Sequence, residues 1–512
     1  MKRSGALRWL RDGDPASRPL PSVTFAVTSL LLVTIFALGG SSRGDVLALI
    51  ILRPAAIAAL GFGLWRLRPS HIAAHRFLFG FATMALAIPL LHLVVLPDML
   101  WASLPGHGLV ADIDRSAGIA PAWRPLSIAP ETTRNAFLSG LVPLAVLVLG
   151  VQLPDHDVFR LLPVLLVLGA ISAAVAAIQA VSGADIPQHL YSTSTDGSAV
   201  GLFVNRNHQA LFLATMFPML ASASANVRLS ILRGRASPPR AIFIALLSAA
   251  CALCLIPLLL ITGSRAGLVL GLAAMLTVPL FGFRQFVFDR PPRRGRLQRW
   301  RSGNIGPTLR WWATRRGKLL MALFSAALIL AIVGAVLMAA YVSGRTEAFD
   351  RFRSSSIADD LRLRALPTIW WMVGHYWPIG SGVGTFEKAY FVAEPDRLLG
   401  AVFMNHAHND WLEVVLTTGL AGLGLLTAAT AAFVWRAYGA VASRLQPPAE
   451  SSKSTLFVLL GLVIILLCAL ASLSDYPLRV PALACVFVVA ALWADCRLPI
   501  QRTAGPIASD GN

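Results

Sequence analysis

The residues with the clearest chemical potential lie in short polar stretches of an otherwise apolar sequence. The stretch 405–413 contains His406, His408 and Asn409 at the start of a predicted helix, and 262–265 forms a tight turn that ends in Arg265. A guanidinium near hydrocarbon is costly unless it is paired, so such arginines are candidates for function. The alternative is that these residues only anchor helix ends at the membrane surface.

Several arginines beside one or two histidines are typical of a site for an anionic substrate with a proton acceptor. Arg binds a diphosphate through two parallel hydrogen bonds and keeps its charge in a low dielectric. His accepts a proton near neutrality, and His408 at a helix N-terminus meets the positive end of the helix dipole. The dipole lowers the pKa of such an imidazole, so we expect His408 to be neutral and basic.

Membrane helices must position these residues. The chain of 512 residues is 56% hydrophobic and 13% charged, and its mean hydropathy is +0.68. Its apolar blocks have the length of roughly 20 residues that spans a hydrocarbon core of about 30 Å. Backbone groups in lipid must be satisfied within the segment, so the blocks are interpreted as helices. About twelve spans are predicted, at residues 21–39, 46–65, 77–97, 135–152, 161–182, 209–225, 241–262, 266–283, 319–341, 411–435, 455–474 and 480–496.

The charge distribution indicates the orientation. With both termini in the cytoplasm, about two thirds of the 44 Lys and Arg residues fall on the cytoplasmic side. About two thirds of the 25 Asp and Glu residues fall on the opposite side. Lys and Arg concentrate in the cytoplasmic loops of membrane proteins, so this partition supports the orientation. It also accounts for the net charge of +19 without a nucleic-acid partner.

The sequence thus predicts an all-α polytopic membrane protein of about 12 transmembrane helices, with one large periplasmic loop that contains interfacial helices. Within that loop, an apolar face indicates an interfacial helix at 366–377, with Pro367 as an early residue and the apolar face in lipid. The predicted regions are spans one to five (1–182), spans six to nine with the Asn205 and Arg265 motifs (183–341), the periplasmic loop (342–410), spans ten to twelve (411–496) and a cytoplasmic tail (497–512).

Five ordered motifs carry a family resemblance. His408-Asn409, followed after nine residues by Gly419-Leu-Ala-Gly422, resembles the signature of the O-antigen ligase and polymerase superfamily. The other matching stretches, in chain order, are Gly201 to Ala210 with its Asn-Arg-Asn-His core, Ser264-Arg265-Ala-Gly267, Arg364 to Gly384, and Ser474-Asp475-Tyr-Pro-Leu-Arg479. The resemblance covers roughly residues 195–480.

The resemblance implies an inverting, metal-independent glycosyltransferase without a cofactor, on the periplasmic face of the bacterial inner membrane. Its donor would be a glycan on undecaprenyl diphosphate, its acceptor a glycan or lipid A core, and its surroundings membrane lipids. His408 would be the general base on the acceptor hydroxyl. Arg265 and Arg364 would bind the diphosphate and stabilise the leaving group, with Arg362 as the competing register.

Other polar residues allow two interpretations each. Asn409 either caps the turn beside His408 or contacts substrate, and Asn205 and Asn207 are candidates for binding sugar hydroxyls. His406 is expected at the rim of the site. Arg53, which precedes a proline inside the second span, indicates either a buried ion pair or a short preceding turn.

Two function classes compete. The first is a transferase for lipid-linked glycans, either a ligase or a polymerase. Of these two, the Trp-rich segment Asp98–Arg134 favours a polymerase, because it resembles the exopolysaccharide polymerases of the superfamily. The second is a polytopic transporter or a flippase for lipid-linked oligosaccharides. That class predicts repeated halves and intramembrane charges along a central path. The chain instead has almost no charge in the middle of its predicted spans, and one large outer loop holds the candidate His and Arg residues.

The charge partition predicts the topology. A reporter fused near residue 300 should report cytoplasm, and one fused near residue 385 should report periplasm. Paired phosphatase and fluorescent-protein fusions measure this. If both positions lie on the same side, the ninth span or the whole orientation is wrong.

Overall fold

The computed structural model describes residues 20–182, 191, 199–232, 238–287, 357–400, 404–444 and 453–496. We number their helices in chain order: α1 Val23–Leu38, α2 Leu49–Arg66, α3 Pro69–Ala74, α4 Arg76–His92, α5 Asp98–Ala102, α6 Gly108–Ser116, α7 Pro130–Gly150, α8 Asp155–Val158, α9 Leu161–Ser182, α10 Arg206–Leu232, α11 Pro238–Ile261, α12 Arg265–Val287, α13 Ile357–His375, α14 Phe386–Ala393, α15 Asp410–Arg444, α16 Lys453–Ala471 and α17 Pro481–Ala494. Two short strands, β1 Val95–Leu96 and β2 Arg124–Pro125, pair antiparallel.

Seven helices in this part of the chain are long and apolar enough to cross a membrane, within α2, α7, α8–α9, α10, α11, α15 and α16. Four shorter apolar helices lie at α1, α4, α12 and α17. The predicted class of an all-α membrane protein is confirmed. Every predicted span except 319–341 overlaps one of these helices, and 319–341 lies outside the described residues. The count of twelve therefore stays a prediction.

The helix bundle is organised around α10 and α16. Of the most apolar 18-residue stretch of each helix, 72% is buried inside the protein in α10 and 67% in α16, but only 22% in α11. α10 packs against α11, α12 and α16, and α16 packs against α17. The polar stretches that begin α10 and follow α16 consequently meet at the same end of the bundle, next to the start of α15.

A second, smaller core lies at that end. It consists of apolar residues from α13, α14, the turn before α15, and α15 itself, including Ile369, Met372, Tyr390 and Leu416. The helix predicted at 366–377 exists as α13, but it begins at Ile357. Pro367 lies in its interior. The prediction of Pro367 as an early helical residue is wrong, because the helix continues N-terminally through polar residues that the apolar pattern does not include. Ile369 is buried in protein rather than on the exposed face.

The segment after α4 contains α5, α6 and the β1–β2 pair. Its order comes from polar contacts made by buried aromatic residues. Trp101 donates its indole N–H to the carbonyl of Pro125 at 2.8 Å, and both ring nitrogens of His107 lie within 3.0 Å of backbone carbonyl oxygens. Gly106 packs directly against the ring of Tyr376, so this segment is fastened to the loop that follows α13.

Arg53 is explained by a contact between two helices. It lies inside α2 and donates hydrogen bonds to the side chains of Asn135 and Ser139 on α7. One terminal nitrogen of the guanidinium thus bonds to neutral oxygens of a neighbouring helix. This contact is an alternative to the ion pair and to the turn that the sequence suggested.

α15 is broken at Gly419, the first glycine of the Gly-x-x-Gly signature. Gly419 has φ 56° and ψ −135°, a conformation open essentially only to glycine. The backbone groups released by the break bond to the loop after α13. Pro378 accepts from the N–H of Leu420 at 2.8 Å, and Gly382 donates to the carbonyl of Thr417 at 2.9 Å. The loop therefore replaces part of the helical hydrogen bonding of α15.

We predict that Gly419→Ala strongly destabilises the protein, whereas Gly424→Ala does not. A Cβ at 419 would lie 2.0 Å from the carbonyl oxygen of Pro378, in addition to the backbone strain. Strain of this kind costs about 1–3 kcal/mol before the clash is counted. A Cβ at Gly424, on the same helix, meets nothing within 4 Å. Thermal unfolding of the two variants in detergent measures the difference, and equal midpoints would contradict the interpretation of Gly419.

Candidate active site

The turn that precedes α15 is shaped by hydrogen bonds that its own helix provides. Asn409 caps the helix, because its Oδ1 accepts the N–H of Leu412 at 3.1 Å. Glu413 reaches back to accept the N–H of Ala407 at 2.8 Å and lies 3.1 Å from Nδ1 of His406. His408 is thereby held at φ 50°, in the left-handed region that non-glycine residues rarely adopt.

Arg479 lies beneath this turn and neutralises its two buried carboxylates. Its Nε donates to Oδ1 of Asp410 at 2.8 Å, and its terminal nitrogen lies 3.2 Å from Oε1 of Glu413. The N–H of Asp410 also donates to the carbonyl of Ser472 at 2.9 Å. The start of α15 is thus fastened to the short loop between α16 and α17. Both acids are also favourable charges at a helix N-terminus.

Asp475, in the same short loop, is the centre of the cluster. It is 2% exposed, and its Oδ2 accepts from the side-chain amides of Asn207 at 2.7 Å and Asn205 at 3.4 Å. Its Oδ1 lies 3.5 Å from Nδ1 of His408 and 3.8 Å from Nε2 of His208. One carboxylate therefore joins the beginnings of α10 and α15.

The pKa values reflect this crowding. Burial alone would raise the pKa of Asp475, but the neighbouring His208, His408 and Arg362 together lower it well below its usual range. Burial lowers the pKa of His408, and Arg362 contributes in the same direction against the opposing effect of Asp475. At neutral pH, Asp475 is consequently an anion and His408 a neutral base. This agrees with the state expected for His408 from the sequence, although burial rather than the helix dipole is the main cause.

Three imidazole rings surround the ring of Tyr476. The centroid distances from Tyr476 are 4.1 Å to His406, 5.0 Å to His408 and 5.3 Å to His208. Burial, followed by the charge of Asp475, raises the pKa of the Tyr476 phenol to about 12. Tyr476 is therefore neutral and packs between the histidines as a spacer.

The turn between α11 and α12 joins the cluster through Ser264. Its hydroxyl donates to Oδ1 of Asn207 at 2.7 Å and accepts the N–H of Gly267 at 2.9 Å, which caps α12. Arg265, the first residue of α12, has an exposed side chain. Arg265 therefore stands at the rim of the cluster, next to the turn that touches Asn207.

The two candidate arginines of α13 point to different places. Arg362 is partly buried and close enough to alter the pKa values of both His408 and Asp475. Arg364 is exposed and donates to the backbone carbonyl of Arg397 at 3.3 Å. The structure thus brings Arg362 to the cluster and leaves Arg364 exposed away from it, in the reverse order of the register favoured from the sequence.

Residues 248–427 match the family model described as O-antigen ligase. The resemblance to the O-antigen ligase superfamily is confirmed. The chain matches no curated protein. The matched residues include Arg265, the two arginines of α13, His408 and the broken helix at Gly419. Asn205, Asn207 and Asp475 lie outside this match, and the fold brings them to it.

Most of the predicted site residues come together in this arrangement. His406, His408, Asn409, Asn205, Asn207 and Arg362 share one cluster, Arg265 lies at its rim, and Arg364 lies outside it. Sequence reasoning missed Asp475, His208 and Tyr476 as parts of the site, although all three stand inside stretches that resemble motifs of the superfamily. The sequence did carry a signal for Asp475, which lies in the five residues between the predicted spans 455–474 and 480–496. A carboxylate so close to the membrane needs partners.

We predict that Arg479→Met destabilises the protein by about 3–5 kcal/mol, the usual cost of removing one partner from a buried ion pair. The substitution leaves the carboxylates of Asp410 and Glu413 without their cation. The control is Arg115→Met, which breaks an exposed pair with Asp112 and should have little effect. Thermal unfolding in detergent measures both, and similar small shifts would show that Arg479 does not carry the turn.

Proposed function

We propose that this protein is a glycosyltransferase that moves a glycan from undecaprenyl diphosphate to an acceptor hydroxyl on the periplasmic face of the inner membrane. The observation that carries the proposal is the pairing of His408 with the buried carboxylate of Asp475. The turn that carries His408 is held by the ion pairs of Arg479 with Asp410 and Glu413. Because Nδ1 of His408 faces the carboxylate, Nε2 is the nitrogen available to an acceptor. A neutral imidazole beside an anion is suited to general-base catalysis.

In the proposed reaction, Nε2 of His408 takes the proton of the acceptor hydroxyl while the oxygen attacks the anomeric carbon of the donor sugar. The bond from that carbon to the diphosphate oxygen breaks, and attack from the opposite face inverts the configuration. Asp475 stabilises the imidazolium that forms. Arg362 and Arg265 stabilise the charge on the departing diphosphate.

The position of the cluster suits a donor whose lipid tail stays in the bilayer. The residues stand at the ends of apolar helices, where a diphosphate at the membrane surface could reach them. The charge partition of the sequence favours the periplasm for this end. Arginines in place of a divalent cation are also consistent with a metal-independent reaction.

One observation favours the transporter alternative: α15 is a broken helix, and broken helices are common at transport sites. In this protein, however, the carbonyls released near Gly419 accept hydrogen bonds from the loop after α13. They are used for internal packing rather than offered to a substrate or ion. A transferase therefore remains the better-supported function, and both ligase and polymerase chemistry fit the site.

We predict that His408→Ala abolishes glycan transfer in proteoliposomes, lowering the rate by roughly 10²–10⁴, the contribution typical of a general base. The control is His375→Ala, because His375 stacks on Trp371 at the end of α13, away from the cluster. Lipid-linked glycan extracted from the native bacterium is the donor, and product formation is measured with and without excess EDTA. Near-normal transfer by His408→Ala at normal abundance would refute the mechanism.

Arg362 and Arg364 provide a matched pair. We predict that Arg362→Ala abolishes transfer because the diphosphate loses a cation beside His408, whereas Arg364→Ala retains most of the activity. Arg362→Lys should recover little, since Lys lacks the two-pronged hydrogen bonding of Arg. The same transfer assay measures all three variants at equal protein abundance. The reverse order would restore the register that the sequence favoured.

A further inference from the structure

His208 is a buried imidazole that the proposed mechanism does not use. It stands in the first turn of α10 and is 2% exposed. In the described part of the chain, neither of its ring nitrogens has a partner within hydrogen-bond geometry. A buried polar group in this state is costly, and each one in a natural structure calls for an explanation, a catalytic role among them. Oδ1 of Asp475 lies 3.8 Å from its Nε2.

The carboxylate of Asp475 is held from both sides by one short segment. Asn207 and Asn205 donate to its Oδ2, while His208 of the same segment faces its Oδ1. The backbone of the segment is itself fixed, because Oδ1 of Asn205 accepts the N–H of Asn207 at 2.9 Å and the carbonyl of Asn205 accepts the N–H of His208 at 3.1 Å. The N–H of Tyr476 also donates to Oδ1 of Asp475, at 2.9 Å. The orientation of the carboxylate is thus set by the start of α10 together with this backbone group.

That orientation matters to His408, which approaches the same Oδ1 from the other side at 3.5 Å. A neutral N–H on His208 can hold this oxygen without cancelling its charge. The full negative charge then remains available when His408 becomes an imidazolium. Catalytic hydrogen bonds are often long in the absence of substrate and shorten when it binds.

We infer that His208 is a positioning residue for glycan transfer, whose Nε2–H holds the Asp475 carboxylate in the orientation that faces His408. The inference rests on the proposed function for its catalytic consequence, but the orientation of the carboxylate is independent of it. His208 acts through Asp475 and does not itself touch the substrate. The Asn-Arg-Asn-His sequence is, in this account, a carboxylate-holding segment.

The test compares His208→Leu, which removes the donor at similar volume, with His208→Gln, whose amide nitrogen can take the place of Nε2. We expect kcat of His208→Leu to fall roughly 10- to 100-fold, the effect of misplacing a catalytic group by about 1 Å. The KM for the extracted lipid-linked glycan should change little, and His208→Gln should recover most of kcat. Thr215→Val, a buried change on the same helix, is the control and should match wild type.

A second readout does not need activity. Cryo-electron microscopy of the antibody-bound full-length protein should show the Asp475 carboxylate rotated away from His408 in His208→Leu and retained in His208→Gln. If the wild type transfers no glycan but the carboxylate rotates, the proposed function fails and the positioning role stands. If the carboxylate keeps its place in His208→Leu, or if Gln restores no more activity than Leu in an otherwise active protein, the inference is overturned.

Discussion

A carboxylate buried at the end of a membrane helix bundle has to be surrounded by donors and cations, and Asp475 imposes this requirement on the rest of the site. Its two oxygens are reached from the start of α10 by Asn207 and His208 and from the start of α15 by His408. An anion that is taken from water without such partners would cost several kcal/mol. The convergence of these segments is therefore a condition for burying Asp475, and the placement of His408 follows from it.

The turn that carries His408 depends on a second set of buried charges and on a broken helix. Arg479 neutralises the two acids of the first turn of α15, and Glu413 in turn holds the backbone before His408. Gly419 then interrupts α15 nine residues after its start at Asp410. The break lets the loop after α13 form hydrogen bonds with the backbone of α15. The Gly-x-x-Gly signature and the His-Asn signature thus act on the two ends of the same short helix. The nine residues between them set the distance from the break to the base.

The sequence predicted the membrane helices because the hydrocarbon leaves few alternatives to long apolar helices. Boundaries were less accurate where polar residues continue a helix, as at α13, which begins nine residues before the predicted start. The types of the site residues could also be predicted, since His408 and Arg265 stand at helix ends in recognisable motifs. The partner of His408 could not, because Asp475 lies 67 residues away along the chain and becomes its neighbour only when the bundle closes. The choice between Arg362 and Arg364 depends on which face of α13 each residue occupies. The start of α13 mixes polar and apolar residues, so its sequence does not show which face is buried.

The central claim is that this cluster consumes a lipid-linked glycan, and the lipid-linked intermediates in cells test it most directly. A strain that lacks the protein is supplied with wild type or with His408→Ala at equal abundance, and its undecaprenyl-diphosphate-linked glycans are measured by mass spectrometry. The deletion strain and the His408→Ala strain should accumulate the same intermediate, which the wild-type protein should clear. Single repeat units would indicate a polymerase, and long chains a ligase. Unchanged lipid-linked glycans in both the deletion strain and the His408→Ala strain would contradict the account.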